Sequence, residues 1–166
     1  FLIKSGLISN LRTLEVIGWT TIIFGLLLYF SDKFSVKENI KNNFTIKNAV
    51  IVGLFQTLAL VPGVSRSGII ITGARFLKFN RVDSGKLSFL FSIPALGGWS
   101  LYGLYDLTKQ NDSLLSAGAI LTAFLSFIFS YLTIKYFLIY LKKFNLSFFV
   151  GYRMILGAII LVIAYL

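Results

Sequence analysis

The sequence predicts an all-α, polytopic integral membrane protein, and its composition and charge pattern carry that prediction. Hydrophobic residues make up 57% of the 166 residues and charged residues only 13%, whereas about a quarter of a soluble domain is charged. Mean hydropathy is +0.84. A globule of this size leaves much of its surface wet, so it could not bury such an apolar excess. The composition therefore excludes an ordinary soluble fold.

Four nearly charge-free stretches predict helices that span a bilayer, which needs about 20 apolar residues. The second stretch contains Pro94 and Gly97-Gly98, which predict a kink or a close helix contact. The last contains Arg153. The predicted spans cover residues 16–30, 87–105, 113–134 and 144–166.

Residues 49–77 have a different pattern: two apolar runs flank the stretch Pro-Gly-Val-Ser-Arg-Ser-Gly at 62–68. Proline breaks a helix and glycine permits a sharp turn. Two full crossings would need about 40 residues. The segment is therefore one broken crossing or a re-entrant hairpin that returns to the side where it began.

Loop charges favour the re-entrant interpretation. Nine basic residues lie in the loops 31–48, 78–86 and 141–146, and only three lie in the N-terminal stretch and the loop 106–112. If residues 49–77 re-enter, all nine share one face, whereas a single crossing would divide the twelve nearly evenly. The positive-inside rule favours the uneven split and places the nine in the cytoplasm.

Arg66 lies at the bend of this hairpin, between Ser65 and Ser67. Irregular backbone at membrane depth survives only where protein or water satisfies it, and an intramembrane arginine is a candidate functional residue. No acidic residue occurs between positions 39 and 82, so an anion is the better partner. Guanidinium, hydroxyls and a helix N-terminus together predict a site for a lipid phosphate or diphosphate. The alternative is a plain helix break, with Ser65 as cap and Arg66 snorkelling to the interface.

Three further polar side chains interrupt apolar runs. Gln56 either contacts a substrate oxygen or joins two helices. Arg153 either snorkels or binds an anion or partner. Arg75, near the hairpin exit, is expected to snorkel.

The residue inventory excludes several kinds of chemistry. The chain has no cysteine and no histidine, which excludes disulfides, thiol nucleophiles, Ser–His triads and imidazole metal ligands. Six carboxylates are the only acidic side chains, and no metal-ligand residues are assigned. The net charge of +10 does not indicate nucleic acid, because so apolar a chain has basic loops rather than a wet basic face.

Residues 53–68, Gly-Leu-Phe-Gln-Thr-Leu-Ala-Leu-Val-Pro-Gly-Val-Ser-Arg-Ser-Gly, resemble the second signature of the bacitracin-resistance type undecaprenyl-diphosphate phosphatases. That signature is Gln, an apolar stretch, then Pro-Gly-x-Ser-Arg-Ser-Gly. Residues 89–94, Phe-Leu-Phe-Ser-Ile-Pro, and 152–157, Tyr-Arg-Met-Ile-Leu-Gly, resemble two later segments of the same family. The likeness covers nearly the whole chain in order and spacing.

The resemblance implies a multi-pass enzyme of the bacterial inner membrane that recycles a peptidoglycan precursor. It would hydrolyse undecaprenyl diphosphate to undecaprenyl phosphate, using a divalent cation, Mg²⁺ or Ca²⁺. The implied fold is an inverted repeat in which each half carries a re-entrant hairpin. Membrane proteins built from such repeats often have their binding site near the bilayer midplane, between the repeats. Arg66 and Ser65 match the family's phosphate-binding pair and are the expected catalytic residues. The expected substrate-binding residues are Gln56, Gly63, Ser67, Gly68 and Arg153.

Two departures from the family pattern affect what this chain can do. Ile70 stands where the family often has threonine, and the first signature, Glu-x-x-x-Glu followed by Pro-x-Ser-Ser-Thr-Gly-His, is absent. The chain is therefore read as one transmembrane domain, the C-terminal portion of a longer protein, without the cation's ligands and inactive alone. The competing hypothesis is a transporter or flippase module that binds an anionic prenyl lipid without chemistry. The expected partners are a lipid diphosphate and membrane lipid, with a homodimer as the expected assembly and no nucleic acid.

Overall fold

A computed structural model describes residues 12–34, 36, 38–109 and 117–166. Within these ranges the chain is helical, and its extended pairing is a single bridge between Glu38 and Phe79. The helices are α1 (Leu14–Asp32), α2 (Ile40–Asn43), α3 (Ile46–Thr57), α4 (Arg66–Phe76), α5 (Arg81–Lys109), α6 (Ala117–Lys143) and α7 (Ser147–Tyr165). The chain is an all-α, polytopic membrane protein, as the composition predicts.

Four helices, α1, α5, α6 and α7, are long and apolar enough to cross a bilayer, which confirms the four predicted spans. Their ends differ from the charge-free stretches. Helix α5 begins at Arg81 rather than at residue 87, because Asn80 caps it: Asn80 Oδ1 accepts from the Asp83 N–H at 2.8 Å. Helix α6 runs on to Lys143, so single basic residues do not end these helices. Residues 113–116 of the third predicted span lie outside the described residues.

The predicted close contact at Gly97-Gly98 does not form with the described part of the chain. A side-chain carbon added at either glycine would meet no atom within 4 Å, and α5 continues through Pro94. The close helix contact occurs instead between α1 and α7. There a carbon added at Gly18 would lie 2.6 Å from Leu161, and one added at Gly157 would lie 2.6 Å from Ile22. Small residues let these two spanning helices approach closely.

The segment predicted as a hairpin forms two short helices, α3 and α4, that pack against each other. The Phe55 side chain covers Gly73, where an added carbon would lie 2.8 Å from its ring, and its ring lies 6.1 Å from that of Phe76. A 3₁₀ turn at Leu58–Leu60 and an irregular bend separate the helices. Ile69 and Ile70 of α4 are buried in the core.

Both ends of the hairpin lie at the same end of the molecule. The Glu38 N–H, before the hairpin, donates to Lys78 O, after it, at 3.2 Å. Likewise, the Ile40 N–H donates to Asp83 Oδ2 at 3.2 Å. This geometry favours the re-entrant interpretation over a single broken crossing. The depth of the hairpin in a bilayer stays a prediction.

Candidate functional site

The bend between α3 and α4 places two residues in the left-handed region. Gly63 has φ +88° and Ser65 has φ +69°. Glycine adopts this region freely, whereas the backbone of a residue with a side chain is strained there. Ser65 is the N-cap of α4, and its Oγ accepts from the Gly68 N–H at 3.3 Å. The strain at Ser65 directs the chain into α4 and brings Arg66 and Ser67 into the first turn of that helix.

The carbonyl groups of the bend are held by side chains from α1 and α7. Thr20 Oγ1 lies 2.6 Å from Pro62 O. Arg153 donates through Nη2 to Gly63 O at 2.8 Å and through Nη1 to Val64 O at 3.0 Å. Two spanning helices therefore fix the bend through its acceptors.

The amide groups of the bend are available by contrast. In the described part of the chain, neither the Arg66 N–H nor the Ser67 N–H meets a hydrogen-bond acceptor. Free N–H groups at a helix N-terminus, together with the positive end of the helix dipole, attract anions. The first turn of α4 therefore offers two donors beside the Arg66 guanidinium.

Arg66 lines a cavity of about 680 Å³ between the hairpin, α5 and α6. Among the described residues, the ion pairs formed are those of Arg75, Arg81 and Lys86, so Arg66 has no carboxylate partner. The cavity wall is polar at several points as well as apolar. Its hydroxyl-bearing residues are Ser67, Ser88, Ser92, Ser130 and Thr133.

Ser65, Gly68 and Arg153 line a smaller cavity of about 190 Å³. Ser67 lines both this cavity and the larger one. The structure therefore brings six of the seven predicted site residues to one bend, but it turns the side chains of Ser65 and Arg66 toward different cavities. Gly63 belongs to the same bend and contributes backbone rather than a side chain.

Gln56 lines neither cavity. Its Nε2 atom donates to Phe91 O on α5 at 3.3 Å, so the structure supports the role of joining two helices. The expectation that Arg75 snorkels is wrong. Arg75 is 2% exposed and donates to the carbonyls of Asp32, Phe34 and Phe79.

The described residues do not fit a resident metal ion. No group of three or more acidic side chains occurs among them, and Asp32 and Asp83 are engaged by arginine, lysine, asparagine and backbone N–H groups.

Sequence reasoning missed three residues, of which two support the bend and one, Asp32, lies at the other end of α4. Thr20 and Thr21 hold carbonyls of the bend, and Asp32 accepts two hydrogen bonds from Arg81. Two adjacent threonines inside an apolar span were a usable signal, because a hydroxyl in a membrane helix often bonds to a neighbouring segment. Asp32 had no such signal, since it lies at the edge of a span where a solvated charge is common.

The chain is similar to curated proteins over nearly its full length. It is 46% identical over 163 residues to "Undecaprenyl-diphosphatase" of Pelagibacter ubique (strain HTCC1062), an alignment that covers 98% of this chain and 63% of that protein. It is 38% identical over 165 residues to the protein of the same name from Jannaschia sp. (strain CCS1), covering 99% of this chain and 62% of that protein. It is 41% identical over 162 residues to that of Dinoroseobacter shibae (strain DSM 16493 / NCIMB 14021 / DFL 12), covering 97% and 60%.

The chain thus spans about three-fifths of the length of the curated relatives it matches. Residues 1–159 of the chain match the family described as "Bacitracin resistance protein BacA". That match includes the hairpin, its bend and Arg153. The chain belongs to the BacA bacitracin-resistance family.

Proposed function

We propose that this chain forms the phosphate-binding part of a membrane-bound undecaprenyl-diphosphate phosphatase. Such an enzyme hydrolyses undecaprenyl diphosphate to undecaprenyl phosphate and phosphate, and returns the lipid carrier to peptidoglycan synthesis in the bacterial inner membrane. The names of the curated relatives support the substrate class. The observation that carries the proposal is Arg66, which lines a hydroxyl-bearing cavity and has no carboxylate partner among the described residues.

In this proposal Arg66 and the first turn of α4 bind the terminal phosphate. A guanidinium presents five N–H donors in a planar fork that matches two oxygens of one phosphate. The free N–H groups of Arg66 and Ser67 and the Ser67 hydroxyl add donors in the first turn of α4. During hydrolysis the negative charge is spread over the oxygens of the transferred group, and these fixed donors stabilise it.

Ser65 has a narrower role in the same step. Its Oγ accepts from the Gly68 N–H at 3.3 Å, which orients the hydroxyl and leaves its proton free to donate. The proton would bond to a phosphate oxygen in the cavity that Ser65 shares with Arg153. Because Ser65 and Arg66 face different cavities, the proposal places the diphosphate across Ser67, the residue that lines both.

Hydrolysis also requires a general base and, in this proposal, a divalent cation. The described residues offer no cluster that would hold such an ion. We therefore assign the base and the cation ligands to a part of the full-length protein outside these 166 residues, since the chain covers only 63% and 62% of two relatives, and we expect the purified 166-residue chain to release no phosphate. Turnover of a prenyl diphosphate by that chain alone would contradict this division of roles. A homodimer stays a prediction.

The decisive experiment replaces Arg66 in the full-length protein and measures phosphate release from undecaprenyl diphosphate. Arg66→Gln removes the charge and the fork, and loss of such a preorganised donor lowers kcat by about 100- to 1,000-fold. Arg66→Lys keeps the charge but loses the two-pronged geometry, so we expect partial activity. Lys135→Gln, an exposed basic residue of α6 that does not line either cavity, is the matched control. Near-normal kcat in Arg66→Gln would overturn the proposal.

The same preparation distinguishes the enzyme from a transporter. If the full-length protein in vesicles moves the prenyl diphosphate across the bilayer and releases no phosphate, the transporter hypothesis replaces the enzyme. Release of one phosphate per lipid supports the phosphatase.

A further inference from the structure

A second basic cavity lies at the other end of α4, where the spanning helices end. It has a volume of about 480 Å³, within the range of about 300–1,000 Å³ that is typical of small-molecule sites. Three cationic side chains and one carboxylate line it: Arg75, Arg81, Lys142 and Asp32. Arg75 is nine residues from Arg66, which separates them by about 13 Å along the helix and places them on opposite faces. The cavity is therefore distinct from the site at the bend.

Asp32 cannot neutralise the cations around it. Arg81 donates to both of its oxygens, at 2.7 Å and 3.0 Å, and the Leu146 N–H donates to Oδ2 at 3.1 Å. Arg75 Nε lies 3.5 Å from Oδ1. One carboxylate thus faces three positive charges, which leaves the lining with a net charge of +2. The nearby Asp83 is engaged elsewhere, with Asn80, Lys86 and the Ile40 N–H.

Each of the three cations retains at least one N–H donor without a hydrogen-bond acceptor among the described residues. Arg75 Nε is buried and has no hydrogen-bond acceptor within the described residues. Lys142 is exposed and forms no ion pair with any carboxylate that the structure describes. Three N–H groups of the Lys142 ammonium and the unused guanidinium hydrogens of Arg81 are therefore available to an incoming anion.

The position of the cavity indicates where that anion comes from. Its residues lie at the C-terminal ends of α1 and α6 and at the start of α5, three of the four helices that are long enough to span a bilayer. The ends of such helices meet the headgroup layer, and basic pockets between spanning helices bind anionic headgroups there.

We propose that this cavity, the Asp32 cavity, binds the phosphate of an anionic phospholipid headgroup. Arg81 and Lys142 contact the phosphate oxygens, and Asp32 holds Arg81 and Arg75 in position behind them. The inference concerns binding at the membrane interface and stands apart from the proposed phosphatase activity.

The test measures lipid binding to the purified full-length protein in neutral detergent. The probes are phosphatidylglycerol, phosphatidylcholine and inorganic phosphate, read out as bound lipid in native mass spectrometry and as a shift of the melting temperature. We expect phosphatidylglycerol to bind and to raise the melting temperature, while phosphatidylcholine does neither. Lys142→Gln should weaken phosphatidylglycerol binding by about fivefold, since one basic residue near an anionic surface contributes about that factor.

Three controls keep the result interpretable. Lys143→Gln removes a neighbouring charge that does not line the cavity and should leave the affinity unchanged. Arg66→Gln should also retain lipid binding, which separates this site from the one at the bend. Because Arg81→Gln disturbs Asp32 and could unfold the protein, Lys142→Gln is the decisive variant.

The outcomes separate the two sources of phosphate. A second outcome is that inorganic phosphate raises the melting temperature as much as phosphatidylglycerol does, with Lys142→Gln weakening both effects. That result would show that the cavity is an anion site filled by free phosphate rather than by a lipid headgroup. Equal binding of phosphatidylglycerol and phosphatidylcholine, or equal weakening by Lys142→Gln and Lys143→Gln, would overturn the proposal.

Discussion

Arg153 Nη2 lies 2.8 Å from the carbonyl oxygen of Gly63, ninety positions earlier in the chain. The same guanidinium donates through Nη1 to Val64 O at 3.0 Å and through Nε to Thr21 O at 3.3 Å. One side chain of α7 thus joins the bend of the hairpin to α1. Because the acceptors of the bend point toward Arg153, the donors of α4 are left for another ligand. We infer that Arg153 positions the bend, and it also lines the cavity that Ser65 lines.

Arg153→Met is expected to destabilise the protein strongly. The change leaves the Gly63 and Val64 carbonyls without these donors, and an unsatisfied buried acceptor costs about 1–3 kcal/mol. We expect a loss of several kcal/mol in the free energy of unfolding together with a lower kcat. Thermal unfolding in detergent measures the first quantity, and phosphate release measures the second.

Lys135→Met is the control for Arg153→Met, because Lys135 is exposed on α6 and surface changes are usually within about 0.5 kcal/mol. A variant Arg153→Met with unchanged melting temperature and a raised KM would show instead that Arg153 acts on the substrate directly.

Gly63→Ala tests the packing of the bend against α1. At φ +88° an added side-chain carbon would overlap Thr20 Oγ1 and lie 2.6 Å from Ile17 O. The left-handed conformation alone costs an L-residue about 1–2 kcal/mol, and the clash with backbone adds to it. We expect Gly63→Ala to lower the melting temperature and the activity together.

Gly97→Ala is the matched glycine substitution, because nothing lies within 4 Å of a carbon added there. Alanine in a helix interior is favoured over glycine by about 0.5–1 kcal/mol, so this variant should be equally or more stable. Equal stability of Gly63→Ala and the unmodified protein would show that the bend can rearrange.

Asp32→Asn should be among the most destabilising substitutions in the chain. Asp32 accepts both hydrogen bonds from Arg81 and pairs with the buried Arg75. Removing one partner of a buried ion pair leaves an uncompensated charge and costs about 3–5 kcal/mol. Denaturant or thermal unfolding checks the loss, with Glu15→Gln, an exposed acid at the start of α1, expected to change little. A small effect of Asp32→Asn would mean that the carbonyl partners of Arg75 suffice.

The sequence predicted the four spans and the hairpin because charge and proline patterns record them directly. A long charge-free run favours burial in lipid or protein, and Pro62 followed by Gly63 favours the end of a helix. The prediction failed at the helix ends, where Arg81 and Asp83 belong to the first turn of α5 although charge alone placed them in a loop. The hydrogen bond from the Asp83 N–H to the Asn80 side chain sets the start of α5. Counting charges along the sequence does not detect such a cap.

The site was predictable only in part for a related reason. Arg66 is recognisable because it lies between two serines in the stretch Pro-Gly-Val-Ser-Arg-Ser-Gly. The partners of Arg75 and Arg153 are mostly backbone carbonyls far away in the chain, and a carbonyl leaves no mark in the sequence. Arg75, Arg66 and Arg153 look alike as isolated cations in apolar runs, and only the fold shows that Arg75 and Arg153 hold the backbone together.

Gln56→Leu tests the role of the one polar side chain of α3 that bonds to α5. The bond from Gln56 Nε2 to Phe91 O is 3.3 Å long, and such interhelical bonds in membranes average about 0.6 kcal/mol. We expect a slightly lower melting temperature and an unchanged KM for the prenyl diphosphate. A raised KM at unchanged stability would show that Gln56 contacts the substrate, as the family resemblance implies.

Substitutions of Ser65 allow its effects on stability and on activity to be measured separately. Its strained backbone affects stability, and in our proposal its hydroxyl donates to the phosphate. The φ of +69° costs a non-glycine residue about 1–3 kcal/mol. Ser65→Gly relieves that strain and loses only a few tenths of a kcal/mol of capping, whereas Ser65→Ala keeps the strain and loses about 1 kcal/mol. The glycine variant should therefore unfold at a higher temperature than the alanine variant, while both lose the donor to phosphate and show similarly reduced kcat. If Ser65→Gly were as active as the unmodified protein and Ser65→Ala were not, Ser65 would serve the bend alone, and phosphate binding would depend on Arg66, Ser67 and the amides of α4.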